Sequence, residues 1–340
     1  MPLKKFGIRL NSKISPFKKE IKVDSDKSIS IRSFLIGSIS QDISVVKNVL
    51  ESEDVFSTIN CLKKLGVQIR KKSKSYFIHG KGLGSLFAKK NLNLFFGNSG
   101  TLSRILLGIL STTPDIEIKV QGDHSLNKRS MKKLIELMSE FGAEFLPKNK
   151  FNFPLKLIST EMPVGIKYKA GVSAQLKSAV ILAGLNSYGV TKIIESKKSR
   201  NHTENILSQN KKSIKIKKAK KNLIKVYGKN PLNPIKMNIP GDPSSAAFFT
   251  ALTLLNINSK LKIKNVGINQ TRIGFYKLLK KQGAKIKFEN IKKENSEVRG
   301  DILIKSCNLS PLKASKNYYV NSTDEYPILF VIAALTKGVS

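Results

Sequence analysis

Arginine is scarce in this chain, eight residues against 53 lysines. Five of the eight (Arg32, Arg104, Arg129, Arg200 and Arg272) lie in or beside segments rich in Ser and Gly. A guanidinium grips carboxylate or phosphate through two parallel hydrogen bonds, which an ammonium cannot do. The clearest segment is Gly97-Asn98-Ser99-Gly100-Thr101, set against the apolar residues 102–110 with Arg104 among them. Glycine lets a ligand approach bare amides, and a helix start leaves its first N–H groups unpaired at a positive dipole end. Amides, short hydroxyls and a guanidinium together suit an anion. The same residues also suit an ordinary N-cap on a core helix, and neither a P-loop nor a GxGxxG pattern is present.

Repetition favours the anion. Polar or Gly/Ser starts followed by apolar helical stretches begin near Asp24, Gly97, Ala170, Pro240 and Ser322, about 70–80 residues apart. A second signal alternates with them: an amphipathic helix that ends in Gly and turns into a β-branched strand. It appears as INCLKKLGVQIR from Ile59, LIELMSEFGAEF from Leu134 and FYKLLKKQGAKIKF from Phe275. A degenerate copy from Glu204, ENILSQNKKSIKIKK, lacks the glycine. The unit is therefore a buried helix, strands, an amphipathic helix and a strand. A period this long marks a small αβ subdomain whose sheet needs helices to cover it.

At 340 residues, two domains are the expectation. The start MPLKKFGIRLNSKIS has no apolar core of signal-peptide length, and no apolar run is long enough to span a bilayer. Cys61 and Cys307 sit in apolar contexts, as core residues of a reducing compartment. His79, His124 and His202 have no ligand spacing. The net charge of +38 is spread over nearly every loop, with no basic stripe and no aromatic platform. It is therefore read as compositional bias that favours anionic small molecules over nucleic acid. The densest run, Asn210–Lys225, reads as a strand pair with a solvated face.

Eight segments in order, DKSISIRSFLIGSI, FFGNSGTLSR, GDHSLNKRSM, VSAQLKSAVILAG, SRNHTENIL, PGDPSSAAFF, NQTRIGFYKLLKKQGA and TDEYPILFVIAA, resemble the EPSP synthase (3-phosphoshikimate 1-carboxyvinyltransferase) family across almost the whole chain. The resemblance implies a mixed α/β (α+β), two-domain enolpyruvyl transferase fold, an inverse αβ barrel of repeated βαββαβ units with helices inside and sheets outside. It places one domain at 22–239 and the other at 1–21 plus 240–340. It implies transfer of the enolpyruvyl group from phosphoenolpyruvate to the 5-hydroxyl of shikimate 3-phosphate, on the way to chorismate and the aromatic amino acids. It implies no cofactor, no metal, no nucleic-acid or membrane partner, and a cytoplasmic monomer.

Carried over by position, Lys27 would touch both substrates, and Ser28 and Arg32 would bind the shikimate ring and carboxylate. Asn98 and Gly100 would cradle phosphoenolpyruvate, with Gln175, and Arg129 would clamp it. Ser173, Gln175, Ser199 and Arg200 would hold shikimate 3-phosphate. Asp324 would open the fifth helix at its positive dipole end and accept the 5-hydroxyl proton, with Glu325 turned away from the cleft. The plain alternatives are N-caps at Ser28, Ser173 and Asp324 and a solvated Lys27. SAQ, SRNHTE and DEYP resemble the branch that tends to resist glyphosate, although Gly100 stands where some resistant members carry Ala. A UDP-N-acetylglucosamine 1-carboxyvinyltransferase-like enzyme typically has a catalytic Cys where this chain has His124-Ser125. The architecture asks for a sixth helix start some 70 residues beyond Asp324. On that expectation the chain is a truncated member whose second domain is incomplete and whose activity alone is in doubt, or a non-catalytic remnant.

Overall fold

The computed structural model describes residues 7, 9, 11–217, 221–294 and 296–340. Within the readings above, residues 1–6, 8 and 10 of segment 1–21 and residues 218–220 of the basic run lie outside these.

Among the described residues, four sheets of four strands share one topology. In each, a central strand pairs parallel to an edge strand on one side and antiparallel to a third strand, which carries the fourth antiparallel. In strand order the sheets are Lys236–Asn238, Ile43–Lys47, Ser75–His79 and Gln68–Lys72; Asn93–Phe95, Glu117–Gln121, Leu155–Ile158 and Glu144–Leu146; Lys167–Ala170, Val190–Glu195, Asn222–Tyr227 and Ile214–Lys217; and Lys18–Ile21, Lys260–Gly267, Glu297–Lys305 and Lys285–Glu294. In the basic run, Ile214–Lys217 and Asn222–Tyr227 form an antiparallel pair.

Each central strand follows a helix that opens with a polar cap. Asp26, Ser99, Ser173 and Asp242 accept a backbone N–H from the first turns of helices Lys27–Ser38, Gly100–Ser111, Ala174–Leu185 and Pro243–Leu255. The first helix is buried on every face from Ile29 to Ser38, where the Ser30, Ser33 and Ser38 hydroxyls donate to carbonyls of Asp26, Ile29 and Leu35. The second and third pack so closely that a Cβ on Gly108 would lie 2.7 Å from the Ala179 Cα. The amphipathic helices Glu53–Lys64, Lys132–Glu140 and Gly274–Lys281 cover the sheets. Each stops at a left-handed glycine, Gly66, Gly142 and Gly283. The degenerate copy folds as one short helix, His202–Ile206, followed by a 3-10 turn, Leu207–Gln209. The copy has no left-handed glycine, and Asn210 caps the 3-10 turn at φ −90°.

The core falls into two clusters, one drawn from residues 29–239 and one from 246–332 with Phe17, Ile21 and Val23 packed against it. Two edge strands pair with partners far along the chain. Lys18–Ile21 joins the sheet of the second cluster, and Lys236–Asn238 closes the first sheet of the first cluster. The chain thus passes between clusters twice, and the two crossings are laced together. Asp26 N–H donates to the Pro240 carbonyl at 2.9 Å and Asp242 N–H to that of Asp24 at 2.8 Å.

In the second cluster the apolar helices are covered on one side only, in keeping with the incomplete second domain expected from the sequence. Pro243–Leu255 exposes Phe248 and Phe249, and Tyr326–Leu335 exposes Phe330, Val331 and Leu335. One sheet covers only one side of these helices. None of the described helices is long and apolar enough to cross a membrane.

Candidate active site

Three polar helix starts meet. Ser28 and Arg32 of the first buried helix, Thr101 of the second, and Ser173 and Gln175 around the start of the third line one cavity of about 210 Å³. Arg200 and Asp324 complete its wall. Six of the eight residues expected to hold shikimate 3-phosphate thus share one space: Ser28, Arg32, Ser173, Gln175, Arg200 and Asp324. The other two stand apart. Lys27 is half-exposed and pairs with Asp54 at 3.1 Å. Ser199 is buried, its N–H and hydroxyl both 2.9 Å from Glu195 Oε1.

Arg32 is anchored rather than free. Its guanidinium donates to Thr203 Oγ1 at 3.0 Å, the Ser28 carbonyl at 3.1 Å and Ser178 Oγ at 3.3 Å. Burial lowers its pKa to about 10, partly opposed by Asp26 and Glu204, so it stays a cation. A buried, preorganised cation beside three helix starts makes the cavity a place for negative charge.

Asn98, Gly100 and Arg129 form a second cluster at the start of helix Gly100–Ser111. Arg129 Nη2 donates to Asn98 Oδ1 at 2.7 Å. A Cβ on Gly100 would lie 2.8 Å from Arg104 Nη1 and 3.3 Å from Arg129 Nη1, so two guanidiniums converge where the chain has no side chain. Arg104 also donates to Gln175 Oε1 at 2.8 Å, and Gln175 Nε2 to Thr101 Oγ1 at 3.0 Å. Gln175 therefore joins the two clusters. Burial, then Arg129, lowers the Arg104 pKa.

Across the cavity, Arg200 Nη2 meets Asp324 Oδ2 at 2.6 Å, linking the two core clusters. The expectation that Asp324 opens a helix is corrected. Helix Lys316–Ser322 leads into a 3-10 turn, Thr323–Glu325, and helix Tyr326–Leu335 begins only after it. Pro327 sets that start, because proline fits the first helical turn and cannot continue an earlier one. The two acids do diverge. Asp324 is half-exposed toward Arg200, whereas Glu325 is buried and accepts from the Ser244 hydroxyl. Burial, reinforced by Asp324, raises the Glu325 pKa.

Arg272 lies at the crossings, buried, 2.8 Å from Asp242 Oδ1 and 3.8 Å from Asp26 Oδ2. Burial would raise the Asp26 pKa, but Arg272, His202 and the Ile29 amide hold it below the usual carboxylate range. Asp242, buried beside Asp26, is raised. Residue types alone do not reveal Thr203, Ser178 and His202 as neighbours of the site. His202 Nδ1 lies 2.8 Å from Glu297 Oε1, across the two clusters.

A family model described as EPSP synthase (3-phosphoshikimate 1-carboxyvinyltransferase) matches residues 11–340. The 3-phosphoshikimate 1-carboxyvinyltransferase of Sulfurihydrogenibium sp. is 38% identical over 328 residues, which cover 96% of this chain and 76% of that protein. The structure of EPSP synthase from Acinetobacter baumannii superposes with a TM-score of 0.84 at 34% identity, over 95% of this chain and 72% of that one. The enolpyruvyl transferase NikO from Streptomyces tendae shares the fold at 12% identity, with a TM-score of 0.71, over 95% of this chain and 74% of that one.

Proposed function

This chain belongs to the EPSP synthase family, and we propose that the cavity between its two core clusters is where it transfers the enolpyruvyl group of phosphoenolpyruvate to shikimate 3-phosphate. The observation that carries the site is the meeting of Ser28, Arg32, Ser173, Gln175, Arg200 and Asp324 on one cavity wall. The cluster of Asn98, Gly100, Arg104 and Arg129 lies one side chain away, through Gln175.

Both substrates are polyanions, so each cluster is suited to one. Shikimate 3-phosphate occupies the cavity, its charges facing Arg32, Arg200 and the start of helix Ala174–Leu185. Phosphoenolpyruvate lies over Gly100, held by Arg129 and Arg104, with Asn98 and Gln175 at its flanks; the Lys27 ammonium, here paired with Asp54, must leave that carboxylate to reach the substrates. The methylene carbon of phosphoenolpyruvate gains a proton, and the 5-hydroxyl oxygen bonds to the adjacent carbon as its own proton passes to Asp324. The tetrahedral intermediate then loses phosphate as a C–O bond breaks, and a proton leaves the new methyl group to restore the double bond. Guanidiniums and helix amides already aimed at the site stabilise the charge that develops, at little cost in reorganisation.

This reading divides the chain into domains 22–239 and 1–21 plus 240–340, supported by the separate cores and the two laced crossings. It also places a monomer in the cytoplasm, which sedimentation and fractionation test. The site itself is tested by calorimetry with shikimate 3-phosphate. Arg200→Ala should weaken binding by about 1.5–3 kcal/mol, the scale of a charge-assisted hydrogen bond. Unchanged binding in Arg200→Ala would remove that residue from the site.

A further inference from the structure

Lys177 is a lone lysine in the apolar helix Ala174–Leu185, and it is completely buried. It stands one helical turn after Ser173, directly behind the wall of the cavity. Its Nζ lies 2.7 Å from Glu195 Oε1 and 2.7 Å from Glu204 Oε1. Arg32 is also electrostatically coupled to Glu204. Two buried cations thus balance two buried carboxylates, the condition under which such charges are tolerated in an interior.

Glu195 faces two ways. Its Oε1 takes Lys177 together with the N–H and hydroxyl of Ser199, each at 2.9 Å, and its Oε2 takes Asn222 Nδ2 at 2.9 Å. Glu195 ends the strand Val190–Glu195, and residues 196–201 have no regular structure to hold them before helix His202–Ile206 begins. Arg200 sits in that loop. A guanidinium on an unsupported loop would spend binding energy on its own ordering.

We propose that Lys177 and Glu195 are positioning residues that hold the Ser199–Arg200 segment in its binding geometry from behind the cavity wall. They act through Ser199 and touch no substrate. Lys177 fixes the Glu195 carboxylate, the carboxylate fixes the Ser199 amide and hydroxyl, and the next residue presents its guanidinium to the cavity. The binding consequence rests on the reading of the cavity as the shikimate 3-phosphate site. The anchoring itself does not.

The test replaces the buried pair with apolar side chains of similar volume, Lys177→Met with Glu195→Met. Such a replacement commonly leaves a protein as stable as before or more so, and it is made in a Glu204→Gln background so that the loss of Lys177 strands no buried carboxylate. A purely structural pair would then leave binding unchanged. The expected result is an unchanged or higher melting midpoint, at least tenfold faster amide exchange at Ser199, unchanged exchange in helix Gly100–Ser111, and at least tenfold weaker binding of shikimate 3-phosphate by calorimetry. In an Arg200→Ala background the same pair of substitutions should weaken binding by less than threefold, because the positioned group is already gone. Ser199 exchange at the wild-type rate would overturn the proposal, as would faster exchange with unchanged affinity. An equal loss of affinity in both backgrounds would overturn it too. If the double variant does not fold, Ser199→Ala reads the same link, with an expected loss of binding that the Arg200→Ala background removes. If the unsubstituted chain does not bind shikimate 3-phosphate, the reading of the cavity fails, and the exchange rate at Ser199 alone decides the anchoring.

Discussion

Asp324 and Glu325 are adjacent acids in opposite surroundings, and their substitutions should behave oppositely. Asp324 is half-exposed, against Arg200 at the cavity wall. On the proposal that Asp324 accepts the 5-hydroxyl proton, Asp324→Ala should lower the rate of phosphate release by roughly 10²–10⁴-fold, while affinity for shikimate 3-phosphate changes much less. A loss of melting temperature with the rate intact would reduce Asp324 to an ion-pair partner. Glu325 is buried and its folded-state pKa is raised by burial and by Asp324. A raised carboxyl contributes stability that is full below its unfolded pKa and is lost as pH rises through the folded value. Glu325→Gln should therefore raise the melting midpoint near pH 7, and that advantage should shrink as the pH falls toward 4. An advantage that grows on acidification would reverse the assignment. Of the side chains that meet at the cavity, Arg32 and Arg200 stand out in the sequence as scarce arginines, whereas Ser28, Ser173, Gln175 and Asp324 were singled out through the family resemblance. Their supports were not. Lys177 reads as one more lysine among 53, and only the fold shows that Glu195 and Glu204, far along the chain, close around it.

At the scale of elements, the polar starts and glycine stops were legible because caps and left-handed turns have strict residue preferences. The start of the fifth apolar helix was misread because Pro327 moves it past Asp324. The placement of Lys18–Ile21 and Lys236–Asn238 at the sheet edges is a matter of pairing between distant strands, which local sequence does not encode. Two helical glycines make contrasting tests. At Gly108 a Cβ would meet backbone atoms of Ala179 at 2.6–2.7 Å, and neither helix can yield easily. Gly108→Ala should cost about 1–3 kcal/mol of stability, the usual scale of overpacking, read as a lower denaturant midpoint. At Gly100 the nearest atoms are the ends of two guanidiniums, which can swing away. Gly100→Ala should keep the midpoint but weaken phosphoenolpyruvate binding, leaving shikimate 3-phosphate binding near its original value. Equal losses for both ligands would place Gly100 in a shared wall rather than in one subsite.

At the scale of the whole molecule, a net charge of +38 surrounds a site for two anions. The field reaches about 30 Å at 0.01 M salt and about 3 Å at 1 M. Affinity for both substrates should fall steadily across that range, and a flat response would mean that only the groups lining the cavity attract them. The two laced crossings set how the two halves can move. A single strand between them would act as a swivel, free to bend and to twist. Two strands joined side by side form a strap, which flexes across its thin dimension and resists torsion. Asp26 donating to Pro240 and Asp242 to Asp24 hold the strap together. Motion between the halves is thereby reduced to nearly one angle. Arg200 and Asp324, in contact across the cavity, would regain the same registration after any opening along that angle, with no search over orientations. Cutting one crossing with a protease should leave both cores folded yet let the faces meet in many attitudes, so that the loss appears as geometric imprecision rather than as melting.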